Sequence, residues 1–111
     1  MKNRIDRVNK LIKEKIADIL FKEIFVKDAL ITVQNVDTSK DLKYAKIKIS
    51  VIPFKRSEDI LKILKKQSPI LQKKLGEFVK IKFLPHIIFQ IDKSEEKAGR
   101  IEEILKNISK S

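Results

Sequence analysis

"LKKQSPILQKKLGEFVKIKFLPHIIFQID" (Leu64–Asp92) changes period part-way along. Leu64, Ile70, Leu71, Leu75 and Phe78 recur at helical spacing. Ile87, Phe89 and Ile91 then alternate as a strand does. The stretch thus leads a helix into a strand, and this decides the fold. A strand reached through a helix can lie parallel to the strand that precedes the helix. Inside the helical part, Ser68-Pro69 interrupts the pattern. Proline disfavours helical geometry at the residue before it, so Ser68 is expected to leave the helix. Proline also opens a new helix well, and Ser68 can cap it. The expectation is a helix–kink–helix joint, with Lys65 and Lys66 on one side and Lys73 and Lys74 on the other.

Upstream, Ser57 reads as the N-cap of this helix, with Glu58 and Asp59 in its first turn, where the helix dipole favours anions. Ile60, Leu61, Ile63 and Leu64 supply its apolar face. Before it, "LKYAKIKISVI" alternates: Ala45, Ile47, Ile49 and Val51 face one way, Lys46, Lys48 and Ser50 the other. That is a half-buried strand of a sheet covered on one side, ended by Pro53. "ALITVQNVD" (29–37) reads as a strand and "TSKD" (38–41) as a turn, so the two strands form a hairpin. Residues 4–25 form an amphipathic helix with Ile5, Val8, Ile12, Ile16, Ile19, Leu20 and Ile24 in one stripe.

Downstream, the third strand is expected at 80–89, with Ile81 and Phe83 on one face. Pro85 inside it implies an edge position or a bulge. A capped, charge-balanced helix is expected from Ser94, carrying Ile101, Ile104, Leu105 and Ile108. The order is α-β-β-α-kink-α-β with a C-terminal helix. The fold class is α+β: a single domain over 1–111, with helices on one face of a three-stranded mixed sheet and residues 94–111 as a helical extension.

The 111 residues suffice for one core, and there is no cysteine, which excludes disulfides, thiolate metal sites and a thiol nucleophile. No apolar run approaches membrane-spanning length, and the charged start lacks a signal-peptide core. A soluble, cytoplasmic monomer is expected. Lys plus Arg is 26 against 15 Asp plus Glu, a formal charge of +11. The excess is concentrated: residues 1–15 carry net +4 and residues 62–82 net +6, whereas 92–111 balance to zero. Two basic segments point to a polyanionic partner, because a patch that neutralises phosphates gains affinity by releasing counterions.

Catalysis finds little support. His86 is the only histidine and reads as a strand residue at the sheet edge, without a nucleophile or clustered carboxylates. Turn chemistry explains Asp37 and Asp41. The only glycines, Gly76 and Gly99, make no phosphate loop. No enzyme activity, metal, cofactor, small-molecule substrate or membrane partner is expected. Candidate nucleic-acid contacts are Lys65, Lys66, Lys73 and Lys74 around the kink, Ser68 at the new helix N-terminus, Lys80 and Lys82 beyond it, and Arg4, Arg7 and Lys10 on the first helix. The six phenylalanines sit mostly at core-phase positions, which favours recognition by shape and phosphate over base stacking. Two alternatives stay open: a DNA-binding helix-turn-helix, or a lysine-coated protein-interaction module.

"VDTSKDLKYAKIKISV" (Val36–Val51) resembles the signature of the ribosome-binding factor A family. "RIDRV" (Arg4–Val8) is similar to that family's opening, and "LPHIIFQIDKS" (Leu84–Ser94) to its closing pattern. The resemblance covers nearly the whole chain. It implies a KH-like fold of the second type. It implies binding to the free small (30S) ribosomal subunit and its 16S rRNA during late maturation and rRNA processing, with importance in the cold. The family has an Ala-x-Gly kink where ordinary KH domains have a Gly-x-x-Gly loop; this chain has Gln67-Ser68-Pro69 there.

Overall fold

The computed structural model describes residues 3–92. Helix α1 (Arg4–Glu23) starts on a capping box: the Asn3 side chain accepts from the Asp6 amide at 2.9 Å, and the Asp6 carboxylate accepts from the Asn3 amide. Its stripe buries Ile12, Ile16, Ile19 and Leu20. Strands β1 (Leu30–Thr38) and β2 (Tyr44–Ile52) pair antiparallel as the expected hairpin, with a register shift at Gln34. Gln34 is the extra residue, and its side-chain Nε2 donates to Ser50 Oγ at 2.8 Å. That contact buries Ser50 on a face that alternation alone marks as wet.

Helix α2 (Ser57–Phe78) follows a short 3-10 turn at Phe54–Arg56. Strand β3 (His86–Ile91) pairs parallel with β2, giving the order β1-β2-β3. The sheet is therefore mixed, with β3 at an edge. Both helices cover one face: α1 lies over β1 and α2 over β3. Ala45, Ile47, Ile49, Val51, Ile87 and Phe89 meet Ile12, Ile16, Ile60, Leu64, Leu71 and Leu75 in one core. Burying a large apolar side chain of this kind is worth about 1.5–3 kcal/mol. The helix expected from Ser94 lies outside the described residues.

Four expectations need correction. The chain does not leave the helix at Ser68: α2 runs from Ser57 to Phe78 with Pro69 inside it. Proline removes one helical N–H and crowds the preceding turn, at a cost of about 3 kcal/mol. Leu64, Leu71 and Leu75, all buried, hold both halves of α2 on the same core and outweigh that cost. Ser57 is not the cap. The 3-10 turn starts the helical path one turn earlier and rotates Ser57 into the core, where its hydroxyl has no hydrogen-bond partner. The third strand begins at His86, not at Lys80, because residues 79–85 form a loop. Pro85, which has no N–H to give, immediately precedes the first ladder residue rather than sitting within the strand.

The fourth concerns the phenylalanines. Only Phe89 lies in the core, whereas Phe21, Phe25, Phe78 and Phe83 are exposed. An uninterrupted 100° step per residue also leaves Ile70 outside while Leu71 is buried.

Candidate nucleic-acid interface

Continuity through Pro69 spreads the four lysines expected around a kink, Lys65, Lys66, Lys73 and Lys74, over three directions. Lys66 and Lys73 share the outward face with Lys62, at spacings of four and seven, and all three are exposed. Lys65 lies on the flank facing β3, beside Lys48 and Gln90. Lys74 lies on the opposite flank and is held by Glu23 of α1 at 3.0 Å. Ser68 is half-buried in mid-helix and opens no helix N-terminus. No free N–H groups gather there for a phosphate, since interior amides bond within the helix. Two helices joined by a short turn do not occur among the described residues, so a helix-turn-helix has no structural counterpart there.

On α1, Arg7 and Lys10 are exposed on the face turned from the sheet. Arg4 lies on the flank instead and lines a cleft of about 770 Å³. Lys82 lines the same cleft from the loop between α2 and β3, and Lys80 is exposed just before it. The structure thus brings together Arg4 and Lys82, which are far apart in sequence. Lys43, in the β1–β2 loop, is a third cation on this lining. Apolar walls come from Val8, Ile81 and Leu84. Phe83 sits among them 73% exposed, with Lys82 Nζ 5.5 Å from its ring centre.

The loop carrying Lys43 is a built turn. The Ser39 hydroxyl donates to Asp41 Oδ1 at 2.6 Å, the Lys43 amide donates to the same oxygen at 3.0 Å, and the Tyr44 amide donates to Ser39 Oγ at 3.1 Å. The bonds to Asp41, the Ser39 hydroxyl first, hold its carboxyl below the ordinary pKa. Leu42 takes a left-handed conformation, φ 62°, closed by its amide donating to Ser39 O at 2.9 Å. On the neighbouring strand the His86 amide donates to Lys43 O at 2.8 Å, which ties the two loops together. Tyr44 and His86, paired in register, set their rings edge to face at 6.2 Å beside the cleft.

Sequence reasoning misses Lys43, Lys62 and Phe83. Lys62 is available from its spacing to Lys66 and Lys73. The alternation of "KIKFL" points Phe83 to a strand face, and only the loop reveals it as surface. Among the described residues no group of His, Cys or acidic side chains could hold a metal, and no helix is long and apolar enough to cross a membrane.

The chain matches the family model "Ribosome-binding factor A" over residues 4–105. A ribosome-binding factor A of Clostridium botulinum strain Okra is 33% identical over 99% of this chain and 94% of its own length. That of Halothermothrix orenii is 36% identical over 96% of this chain and 89% of its own. Among solved structures, the crystal structure of ribosome-binding factor A from Thermus thermophilus superposes with a TM-score of 0.68 at 21% identity, covering 80% of this chain and 97% of that one. The solution structure of a Thermotoga maritima protein, described as a putative ribosome binding factor A, gives 0.55 at 25% identity, covering 78% and 80%. A homology model of the Thermus thermophilus ribosome binding factor A, fitted into a cryo-EM map of a 30S complex, gives 0.67 at 22%, covering 77% and 91%. The fold is KH-like, and the chain belongs to the ribosome-binding factor A family.

Proposed function

We propose that this protein is a cytoplasmic, non-catalytic assembly factor of the small ribosomal subunit. It binds the free 30S particle through 16S rRNA during late maturation, and so supports rRNA processing and growth in the cold. Family membership over nearly the full chain carries this reading. A relative placed in a 30S complex supports the choice of subunit. The surface supplies the chemistry: Arg4 and Lys82 on the cleft, Arg7 and Lys10 on α1, and Lys62, Lys66 and Lys73 along α2 are cations suited to phosphates. Lys65 and Lys80 add to that field, and Lys74 adds less because Glu23 neutralises it.

The test is co-sedimentation of the purified protein with free small subunits and with complete ribosomes across a salt series. Selective binding to free subunits, with affinity falling steeply as salt rises, is the expected result. Equal weak binding to both particles would reduce the lysines to a generic polycation and overturn the assembly-factor reading.

A further inference from the structure

The cleft between the start of α1, the β1–β2 loop and the α2–β3 loop has features that phosphate binding does not need. A surface that reads only backbone charge can be wholly polar. This one exposes a phenylalanine inside an apolar wall and sets cations around it. Solvating Phe83 costs free energy unless something covers it. Among the described residues nothing buries it, although Leu84 and Ile81 beside it turn toward the core. Lys82 lies over the ring, which makes the ring more favourable to a second stacking partner of high electron density. Three cations, Arg4, Lys43 and Lys82, face a single carboxylate, Asp41. Asp41 is itself committed to the Ser39 hydroxyl and the Lys43 amide.

An occupant must therefore be flat, apolar on its faces and negatively charged at one end. A duplex does not qualify, since its base faces are stacked on one another and only base edges, 2′-hydroxyls and backbone reach its surface. We infer that this cleft binds one unpaired nucleotide of RNA, its base stacked on Phe83 and its phosphate held by Arg4, Lys43 and Lys82. The inference rests on the rRNA-binding reading and adds to it that the rRNA segment recognised here is single-stranded with a base turned out. The paired loops, tied by the His86 amide on Lys43 O, present a preformed site that pays little ordering entropy.

The chain has no tryptophan, so Phe83→Trp adds a single fluorophore whose indole keeps the stacking surface. Three probes are used: a short single-stranded RNA of mixed sequence, the same strand with abasic sites, and a blunt RNA duplex. The expected result is quenching of Trp fluorescence by the single strand, with little quenching by the abasic strand or the duplex. Phe83→Ala should weaken binding of the single strand about tenfold, and Phe83→Trp should retain it within about twofold. Circular dichroism checks that both variants fold. Unchanged affinity in Phe83→Ala, or equal quenching by the abasic strand, overturns the nucleotide site. Co-sedimentation of the unaltered protein with small subunits is run in parallel. If that binding stands while the stacking signals fail, only the cleft inference falls; if it is absent, the functional reading falls first.

Discussion

Gln72 acts as a side-chain substitute for a neighbouring strand. Its Nε2 donates to Pro85 O and its Oε1 accepts from the Ile87 amide, both at 2.9 Å. Both bonds lie at the outer edge of β3, where the next strand would otherwise pair. Gln72→Ala leaves the amide of buried Ile87 unpaired, so stability should fall by about 1–3 kcal/mol. Urea denaturation checks this as a lower midpoint at unchanged slope. Thr38 shows the opposite case. Its Oγ1 is buried without a partner, while its amide donates to Asn9 Oδ1 at 2.9 Å. Thr38→Val keeps the shape and removes an unsatisfied hydroxyl, so stability should hold or rise by up to about 1 kcal/mol in the same assay. Neither behaviour can be read from the sequence. Gln72 looks like any exposed helix glutamine until β3 is placed beside it, and Ser57 looks like a cap because cap chemistry is local while its burial is not.

At the scale of elements, what is readable has a strong period. The capped amphipathic α1, the alternating β2 and the hairpin follow from side-chain direction alone. The parallel β3 follows from the intervening helix. Two of the misreadings fall at prolines, where a local rule competes with packing. Pro69 should end a helix, but the rule for the residue before proline is a preference, and Leu64 and Leu71 bury on either side of it. Pro69 is exposed, outside the core. Pro69→Ala restores an N–H without disturbing that core, so the thermal midpoint should rise, by about 1 kcal/mol or more in stability. A fall would mean that α2 needs the bend proline imposes. Gly76→Ala on the same helix should add about 0.5–1 kcal/mol, since a Cβ there meets Leu84 Cδ2 at an ordinary 3.7 Å. In the β1–β2 loop the sign of the pH effect is set by Asp41. Its pKa is lowered in the folded state, so the turn's support is complete above the ordinary carboxylate pKa and is lost as pH falls below it. Hydrogen exchange at the Lys43 and Tyr44 amides, corrected for intrinsic rates, should therefore lose protection as pH drops below about 4, before the β2 core amides do.

For the whole molecule, the sequence shows how much charge there is but not where it points. The net +6 of residues 62–82 reads as one patch. A continuous α2 instead aims Lys62, Lys66 and Lys73 outward, turns Lys65 toward β3 and gives Lys74 to Glu23. The candidate cations are therefore unequal, and salt dependence can rank them. Removing one cation from a phosphate flattens the slope of log affinity against log salt by about 0.7–0.9. Replacing Lys62, Lys66 and Lys73 together by alanine should flatten the slope for small-subunit binding by about 2 to 3. Replacing Lys74 alone should leave the slope unchanged and release only a half-exposed ion pair between α1 and α2, worth under about 1 kcal/mol. The two variants differ in number of charges as well as direction, so a third, Lys66→Ala, sets the value of one outward lysine. If Lys74→Ala flattens the slope as much as Lys66→Ala, the Glu23 pair opens on the ribosome and the helix flank joins the interface. If only Lys66→Ala does, the interface lies on the outward stripe, with its orientation set by the helix that Pro69 fails to break.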